Sequence, residues 1–241
     1  MRHQQQSARE RERERARQTK ALSPVVLLLL RELWVQLERL PVKPKATIAL
    51  LAANIGLYLS PWSDAYSRQQ HCLCASKMLM PARPYSTLAD LPFNRLLLSG
   101  FLHADDWHLY YNCTSLLWKG SQLEPAMGTE RFVKLVVFSL VVSHALYLGI
   151  ASALVVLFDY SESYHSCAVG FSAVLFSLKY VLNSASPQMT QIHGFAVPLK
   201  HACWAELVIA SLVSPNVSFV GHLAGILAGL IYVHAKIERA L

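Results

Sequence analysis

The chain has 241 residues, of which 54% are hydrophobic and only 15% are charged. Soluble domains carry about 25% charged residues, so this composition excludes an ordinary soluble domain and favours a membrane protein with one compact bundle. The net charge of +7 is uneven, because eleven of the 22 lysines and arginines precede residue 46. Five scattered cysteines exclude a disulfide scaffold. No cysteine and histidine spacing typical of zinc sites occurs, so neither a metal nor a cofactor is predicted.

Residues 1–41 are predicted to form a basic cytosolic tail followed by an amphipathic interfacial segment. The tail, MRHQQQSARERERERARQTK, alternates arginine with glutamate. This pattern is typical of a solvated segment, so nucleic acid is not an expected partner, and its acidic residues argue against a mitochondrial presequence. The apolar residues of 21–40 are interrupted by charges such as Arg31 and Glu32, which favours a helix on the membrane surface over a membrane span.

Six membrane spans are predicted in residues 42–236, and residues 237–241 are predicted to be a short cytosolic C-terminus. The spans are, approximately, 42–59, 107–118, 132–158, 167–182, 200–213 and 217–235. A long loop of about residues 60–92 follows the first span, and loops of this length are usually functional or mobile. The predicted fold class is therefore an all-α polytopic membrane protein.

The basic residues predict the orientation, because lysine and arginine concentrate on the cytosolic side of membrane proteins. They occur in the N-terminal tail, in the connection 119–131 and after the sixth span, whereas the connection 159–166 has acidic residues and no lysine or arginine. Six spans place both termini in the cytosol, as this asymmetry requires. Cys72, Cys74 and Cys167 then lie on the non-cytosolic side, where the sequence leaves open a disulfide that involves one of them.

Four polar side chains in the predicted spans are candidates for function: His108, Asn112, Ser172 and His222. Polar groups inside a membrane are costly and commonly functional, although each one alone is more often structural, for example as interhelical glue. Their joint placement favours function. Ser172 and His222 each follow the predicted start of a span by five residues, so both are predicted about 8 Å below the non-cytosolic face.

Small residues predict a close contact between the fourth and sixth spans. Gly221, Gly225 and Gly229 form a small-xxx-small ladder on the sixth span, and Ala173 and Ser177 form a similar pair on the fourth. Such ladders allow two helix backbones to approach closely. A short serine side chain can reach a histidine on another helix only across such a contact.

The four polar residues match the requirements of acyl transfer. Serine needs an adjacent base to act as a nucleophile, and His222 would be that base for Ser172. A tetrahedral intermediate needs fixed hydrogen-bond donors, which His108, Asn112 and the Ser172 backbone amide would supply. No acidic residue is placed to orient His222, so a catalytic dyad is predicted rather than a triad. The stretch around Ser172 lacks the final glycine of the nucleophile elbow of soluble hydrolases.

Three motifs in this order resemble the rhomboid family of intramembrane serine proteases. They are HADDWHLYYN (His103–Asn112), GFSA (Gly170–Ala173) and GHLAGILAG (Gly221–Gly229), within a resemblance over about residues 42–235. The resemblance implies a six-transmembrane-helix rhomboid bundle in which a dyad of Ser172 and His222 cleaves transmembrane segments of other membrane proteins. It also implies an oxyanion site formed by His108 and Asn112, with His103 nearby.

The motifs look most like the endoplasmic-reticulum branch of that family. This likeness implies a role in membrane-protein quality control and a multi-pass location in the endoplasmic-reticulum membrane, with the Golgi or another endomembrane as the alternative. The implied partners are transmembrane protein substrates, the lipid bilayer and ubiquitin-linked degradation machinery. The long cytosolic tail that recruits this machinery in the branch has no counterpart in the sequence as it ends at Leu241.

Two positions depart from the family pattern. Ala173 replaces the glycine that usually follows the serine, and its extra methyl group is expected to lower activity at most. The stretch Glu124–Gly128 lacks the arginine of the usual Glu-x-Arg pattern, which predicts a weakened structural pairing. The main alternative function is a rhomboid-like protein that binds membrane clients without cleaving them, although inactive relatives generally lose the serine or the histidine. A small transporter is a third reading, but its binding residues should lie near the membrane midplane.

Overall fold

The structure is a computed structural model that describes residues 23–60, 65–79, 92–184, 186, 188–192, 195–213 and 218–235. The predicted basic tail up to residue 22 and the predicted C-terminus lie outside these residues. So does part of the long loop after the first predicted span.

The described chain is mostly helical. The helices are α1 (Pro24–Arg39), α2 (Lys45–Leu59), α3 (Ala65–His71), α4 (Ala75–Leu79), α5 (Pro92–Leu98), α6 (Asp106–Met127), α7 (Thr129–Phe158), α8 (Glu162–His165), α9 (Ser172–Asn183), α10 (Ala202–Val213) and α11 (Phe219–His234). The prediction of an all-α fold is wrong in one small part, because β1 (Met189–Ile192) and β2 (Phe195–Pro198) form an antiparallel hairpin between α9 and α10. The hairpin was missed because the four-residue strands are too short to show a clear periodicity of 2.

The predicted number of six spans is not confirmed. Within the described residues, only α7 is both long enough and apolar enough to cross a membrane, and α2 and α11 are shorter apolar helices. A transmembrane helix needs about 20 residues, whereas α9 and α10 have 12 residues each. Helix α6 is long enough at 22 residues but carries many polar groups.

The centre of the bundle is formed by α11, which packs on both α7 and α9, and α6 packs on the other side of α9 and on α2. Helix α1 lies against α6 and buries three aliphatic side chains on that side, Val26, Leu29 and Leu33. Its opposite side exposes Trp34, which is 68% exposed, together with several leucines. An apolar outer surface of this kind is what an interfacial helix would present to lipid, and that placement stays a prediction.

Glu124 joins α6 to the start of α2. Its carboxylate accepts hydrogen bonds from the backbone amides of Ala46 and Thr47, each at 2.9 Å, and from the hydroxyls of Thr47 and Thr129. A carboxylate at the first turn of a helix satisfies free amide groups and interacts favourably with the helix dipole. The expected weakening of a pairing at Glu124–Gly128 is therefore offset by these four bonds, which need no arginine.

A disulfide connects the loop after α2 to the segment that precedes α9. Cys72 and Cys167 are bonded, with a Cα–Cα distance of 5.3 Å, whereas Cys74 is buried as a free thiol. Beside the disulfide, Leu73 and Ala168 exchange two backbone hydrogen bonds in an antiparallel bridge. The two segments therefore lie on one side of the bundle, where the predicted topology puts the non-cytosolic face.

We expect replacement of both Cys72 and Cys167 by serine to lower the free energy of unfolding by about 2–4 kcal/mol, because the disulfide closes a long loop in the unfolded chain. The 95-residue separation puts this disulfide in the long-loop range. Thermal unfolding in detergent micelles measures the change, with Cys74→Ala as the control that leaves the disulfide intact. Alkylation of Cys72 and Cys167 in denatured, non-reduced protein would contradict the prediction.

Candidate active site

Ser172 is the first residue of α9, immediately after a turn that requires glycine. Gly170 has φ = +116°, a backbone conformation that side chains disfavour, and its amide donates to the Ser99 carbonyl at 2.8 Å. Phe171 is the N-cap residue and is 1% exposed, so the turn is held both by packing and by a hydrogen bond. The backbone amide of Ser172 therefore belongs to the positive end of a helix dipole.

This geometry corrects the depth argument made from the sequence. The fourth span was expected to be helical from Cys167, which would place Ser172 five residues inside it. Instead residues 166–171 contain no helix, and α9 begins at Ser172. His222, by contrast, is the fourth residue of α11, which begins at Phe219. The bridge between Ala168 and Leu73 and the positive φ of Gly170 explain the difference, because neither is compatible with a helix that starts at Cys167.

His222 lies in α11 beside the start of α9. Its ring stacks on Phe176, with 4.3 Å between the ring centroids, and it is 8% exposed. Its Nδ1 is buried and has no hydrogen-bond partner within the described chain. Ser172 and His222 share the wall of one cavity of about 590 Å³. No hydrogen bond joins the two side chains in the part of the protein that the structure describes.

His108 and Asn112 face Ser172 from the first turns of α6. A methyl group built on Gly170 would lie 2.6 Å from His108 Nε2, so the His108 ring packs directly against the turn that precedes the serine. His108 Nδ1 accepts a hydrogen bond from the Ala104 amide at 3.3 Å, which leaves the proton on Nε2. Asn112 Nδ2 donates to the His108 carbonyl at 2.9 Å and keeps a second proton free for another acceptor.

His103 packs against the ring of His108. It is fully buried, its Nδ1 lies 3.1 Å from the Phe101 carbonyl oxygen, and its ring contacts His108 edge-on at 5.0 Å. The carbonyl oxygen can only accept, so His103 Nδ1 donates this hydrogen bond. The side chain therefore packs beside the site without lining the main cavity.

Two of the three glycines in the predicted ladder face α9. A methyl group on Gly225 would lie 2.2 Å from the Ala173 carbonyl oxygen, and one on Gly229 would lie 2.8 Å from the Ser177 carbonyl oxygen. Only glycine allows this approach of the two backbones. Gly221 differs, because its neighbour is the side chain of Ser218, which caps its own helix.

A second, smaller cavity of about 30 Å³ lies beside Ser172 and is lined by four serines, Ser99, Ser143, Ser172 and Ser218. Ser99 Oγ and His222 Nδ1 are both buried without a hydrogen-bond partner in the described residues, and both residues line this cavity. The volume is enough for one water molecule.

Phe176 is the site residue that the sequence reasoning missed. It lies four residues after Ser172 on the same face of α9, which is the spacing that brings two side chains together on a helix, and its ring orients His222. The i, i+4 spacing was visible, but an aromatic residue in an apolar run is more often simply buried. Among the described residues, no group of three or more histidine, cysteine, aspartate or glutamate side chains is placed to hold a metal ion.

Comparison with known proteins assigns the amino-acid sequence to a family. The Rhomboid domain family matches residues 92–239. The chain is 41% identical over 210 residues to Rhomboid-like protein 14, mitochondrial, of Arabidopsis thaliana, an alignment that covers 82% of this chain and 58% of that protein. It is also 41% identical over 199 residues to Rhomboid-related protein 4 of Homo sapiens, over 82% of this chain and 59% of the relative. No solved structure matches the chain.

The chain therefore belongs to the rhomboid family, as the three sequence motifs predicted. The mouse Rhomboid-related protein 4 is 36% identical over 227 residues, which cover 93% of this chain. The chain spans about three fifths of the length of the plant and human relatives, at 58% and 59%.

Proposed function

We propose that this protein is an intramembrane serine endopeptidase that cleaves transmembrane segments of other membrane proteins with a dyad of Ser172 and His222. The observation that carries the proposal is the shared cavity. It brings together a serine at a helix N-terminus, a histidine that no acidic side chain of the described residues contacts, and the His108–Asn112 pair. Membership of the rhomboid family supports the same reaction class.

In the proposed reaction, Ser172 Oγ attacks the carbonyl carbon of the scissile peptide bond while His222 Nε2 takes its proton. The negative charge that develops on the carbonyl oxygen is stabilised by three donors: His108 Nε2–H, the free Asn112 amide proton and the Ser172 backbone amide. His222 then gives the proton to the leaving amine, and an ester to Ser172 remains. Water attacks this ester by the same steps in reverse order and regenerates the serine.

The proposed membrane arrangement keeps six crossing segments, with both termini in the cytosol and the nucleophile near the opposite face. Helices as short as α9 fit this arrangement where they are surrounded by other helices rather than by lipid. The Cys72–Cys167 disulfide supports an oxidising non-cytosolic side. We therefore propose the endoplasmic-reticulum membrane, with the Golgi or another endomembrane as the alternative. The likeness of the sequence motifs to the endoplasmic-reticulum branch of the family supports a further proposal, a role in membrane-protein quality control with ubiquitin-linked partners.

An active-site-directed phosphonate tests the proposal. Purified protein in detergent is incubated with a membrane-anchored reporter substrate, with and without a fluorophosphonate, and the labelled residue is located by mass spectrometry. The expected result is a single cleavage inside the reporter's transmembrane segment, which is lost as Ser172 becomes labelled. Binding of the reporter without cleavage or labelling would instead favour the second candidate, a client-binding protein without protease activity.

A further inference from the structure

The active-site cavity continues beyond the proposed catalytic residues to a group of charges that the reaction does not use. Its deeper wall carries Lys119 of α6, Lys179 of α9 and Glu206 of α10. Lys179 and Glu206 form an ion pair that joins their two helices, with side chains 16% and 44% exposed. Two lysines and one glutamate leave this wall with one basic side chain in excess.

Lys119 is the member of this group for which the described residues supply no anionic partner. It is only 5% exposed, its ammonium group donates to Ser115 Oγ and it lies 5.4 Å from the centre of the Trp118 ring. Within the described residues, no carboxylate forms an ion pair with it. A buried charge is costly unless it is paired, so a ligand in the cavity that brings a negative charge to Lys119 gains affinity.

The spacing along the helices gives the depth of the two lysines relative to the proposed nucleophile. Lys179 follows Ser172 by seven residues on α9, and Lys119 follows Asn112 by seven residues on α6, so each lysine lies about 10 Å deeper along its helix axis. A substrate that continues from Ser172 down the cavity covers this distance with about three residues if extended, or with about seven residues if helical.

We propose that Lys119 binds an acidic side chain in the transmembrane segment of the substrate, three to seven residues from the scissile bond on its deeper side. This inference rests on the proposed protease function and names its substrate class. An aspartate or glutamate in a transmembrane segment is costly in lipid. Lys119 offers such a residue a charge-assisted hydrogen bond in a cavity, so segments with a misplaced acid are selected over uniformly apolar ones.

The test uses a reporter segment whose N-terminus lies on the Ser172 side, with leucine, aspartate or lysine placed singly at positions 3–7 after the cleavage site. Two quantities are measured in micelles: kcat/KM with the wild-type protein, and Kd with the Ser172→Ala protein. At the best position, aspartate is expected to give an about tenfold higher kcat/KM and an about tenfold lower Kd than leucine, the size of one charge-assisted hydrogen bond. Lys119→Met is expected to reduce this ratio to below about twofold, and Lys119→Glu to reverse the preference toward lysine.

Two further variants keep the test specific. Lys119→Arg retains the charge and is expected to retain the aspartate preference, which separates charge loss from misfolding. Lys134→Met removes an exposed lysine of α7 that pairs with Glu130, and it should leave the ratio unchanged.

Three results would overturn the inference: no position with an aspartate preference, a preference of the wild-type protein for lysine, or an aspartate preference that survives in Lys119→Met. Dependence of cleavage on an anionic lipid through Lys119, without an aspartate preference, would also overturn it. If no reporter is cleaved at all, the proposed function fails, and the Kd ratio still decides whether Lys119 binds the acid.

Discussion

Ser172→Ala is expected to reduce kcat/KM for a transmembrane reporter by about ten-thousandfold or more, because no other group can form the covalent intermediate. His222→Ala should cost about as much, since residues that act as one catalytic unit lose most of the rate together. Both variants should remain folded, as both side chains line a cavity. Cleavage is followed by the appearance of both fragments at matched protein concentrations.

Ser177→Ala is the matched control for this result. Ser177 lies on the same helix, is fully buried and shares a 2.8 Å hydrogen bond with Ser139, but it does not line the main cavity. Its loss should lower stability by about 1 kcal/mol while cleavage continues. Persistent cleavage by both Ser172→Ala and His222→Ala proteins would eliminate the dyad mechanism.

Gly225→Ala is expected to have the second largest effect, on stability as well as on activity. The added methyl group would lie 2.2 Å from the Ala173 carbonyl oxygen, which is backbone and cannot rotate away. Helices α9 and α11 must therefore separate, at a cost of about 1–3 kcal/mol for overpacking. The same movement carries Ser172 away from His222, so kcat/KM should fall together with the temperature of unfolding in micelles.

Gly149→Ala tests whether this effect is specific to the contact. Gly149 lies in α7, and a methyl group there meets no atom within 4 Å. Alanine is favoured over glycine inside a helix by about 0.5–1 kcal/mol, so this variant should be as stable as the parent protein or slightly more stable. Equal behaviour of Gly225→Ala and Gly149→Ala would show that the α9–α11 contact does not depend on glycine.

The local pattern predicted most of the helices well. Apolar runs placed α7, α10 and α11 within a few residues of their observed bounds, because each run is continuous and ends at polar or helix-breaking residues. The length of helix α6 was underestimated. The helix extends to Met127 rather than to residue 118, because its second half carries Lys119 and Glu124, and the partners of Glu124 come from the distant start of α2.

Pairings between distant segments could not be predicted. The sequence left open which cysteine forms a disulfide, and only the folded chain brings Cys72 within 5.3 Å of Cys167. The break of the helix before Ser172 was also missed, although Gly170 offered a local signal, because the left-handed turn depends on its hydrogen bond to Ser99.

The sequence by itself determined the chemical groups: a serine, a histidine and two candidate donors in an apolar chain, in motifs specific enough to identify the rhomboid family. These properties depend only on residue type and spacing, so errors in the predicted bounds of the helices do not change them. Tertiary structure decided which groups share one cavity, which glycines touch the neighbouring helix and that Lys119 lies in the same cavity without an anionic partner within the described residues. Those relations depend on the approach of helices that are far apart in the chain, and spacing along a single helix carries no information about them.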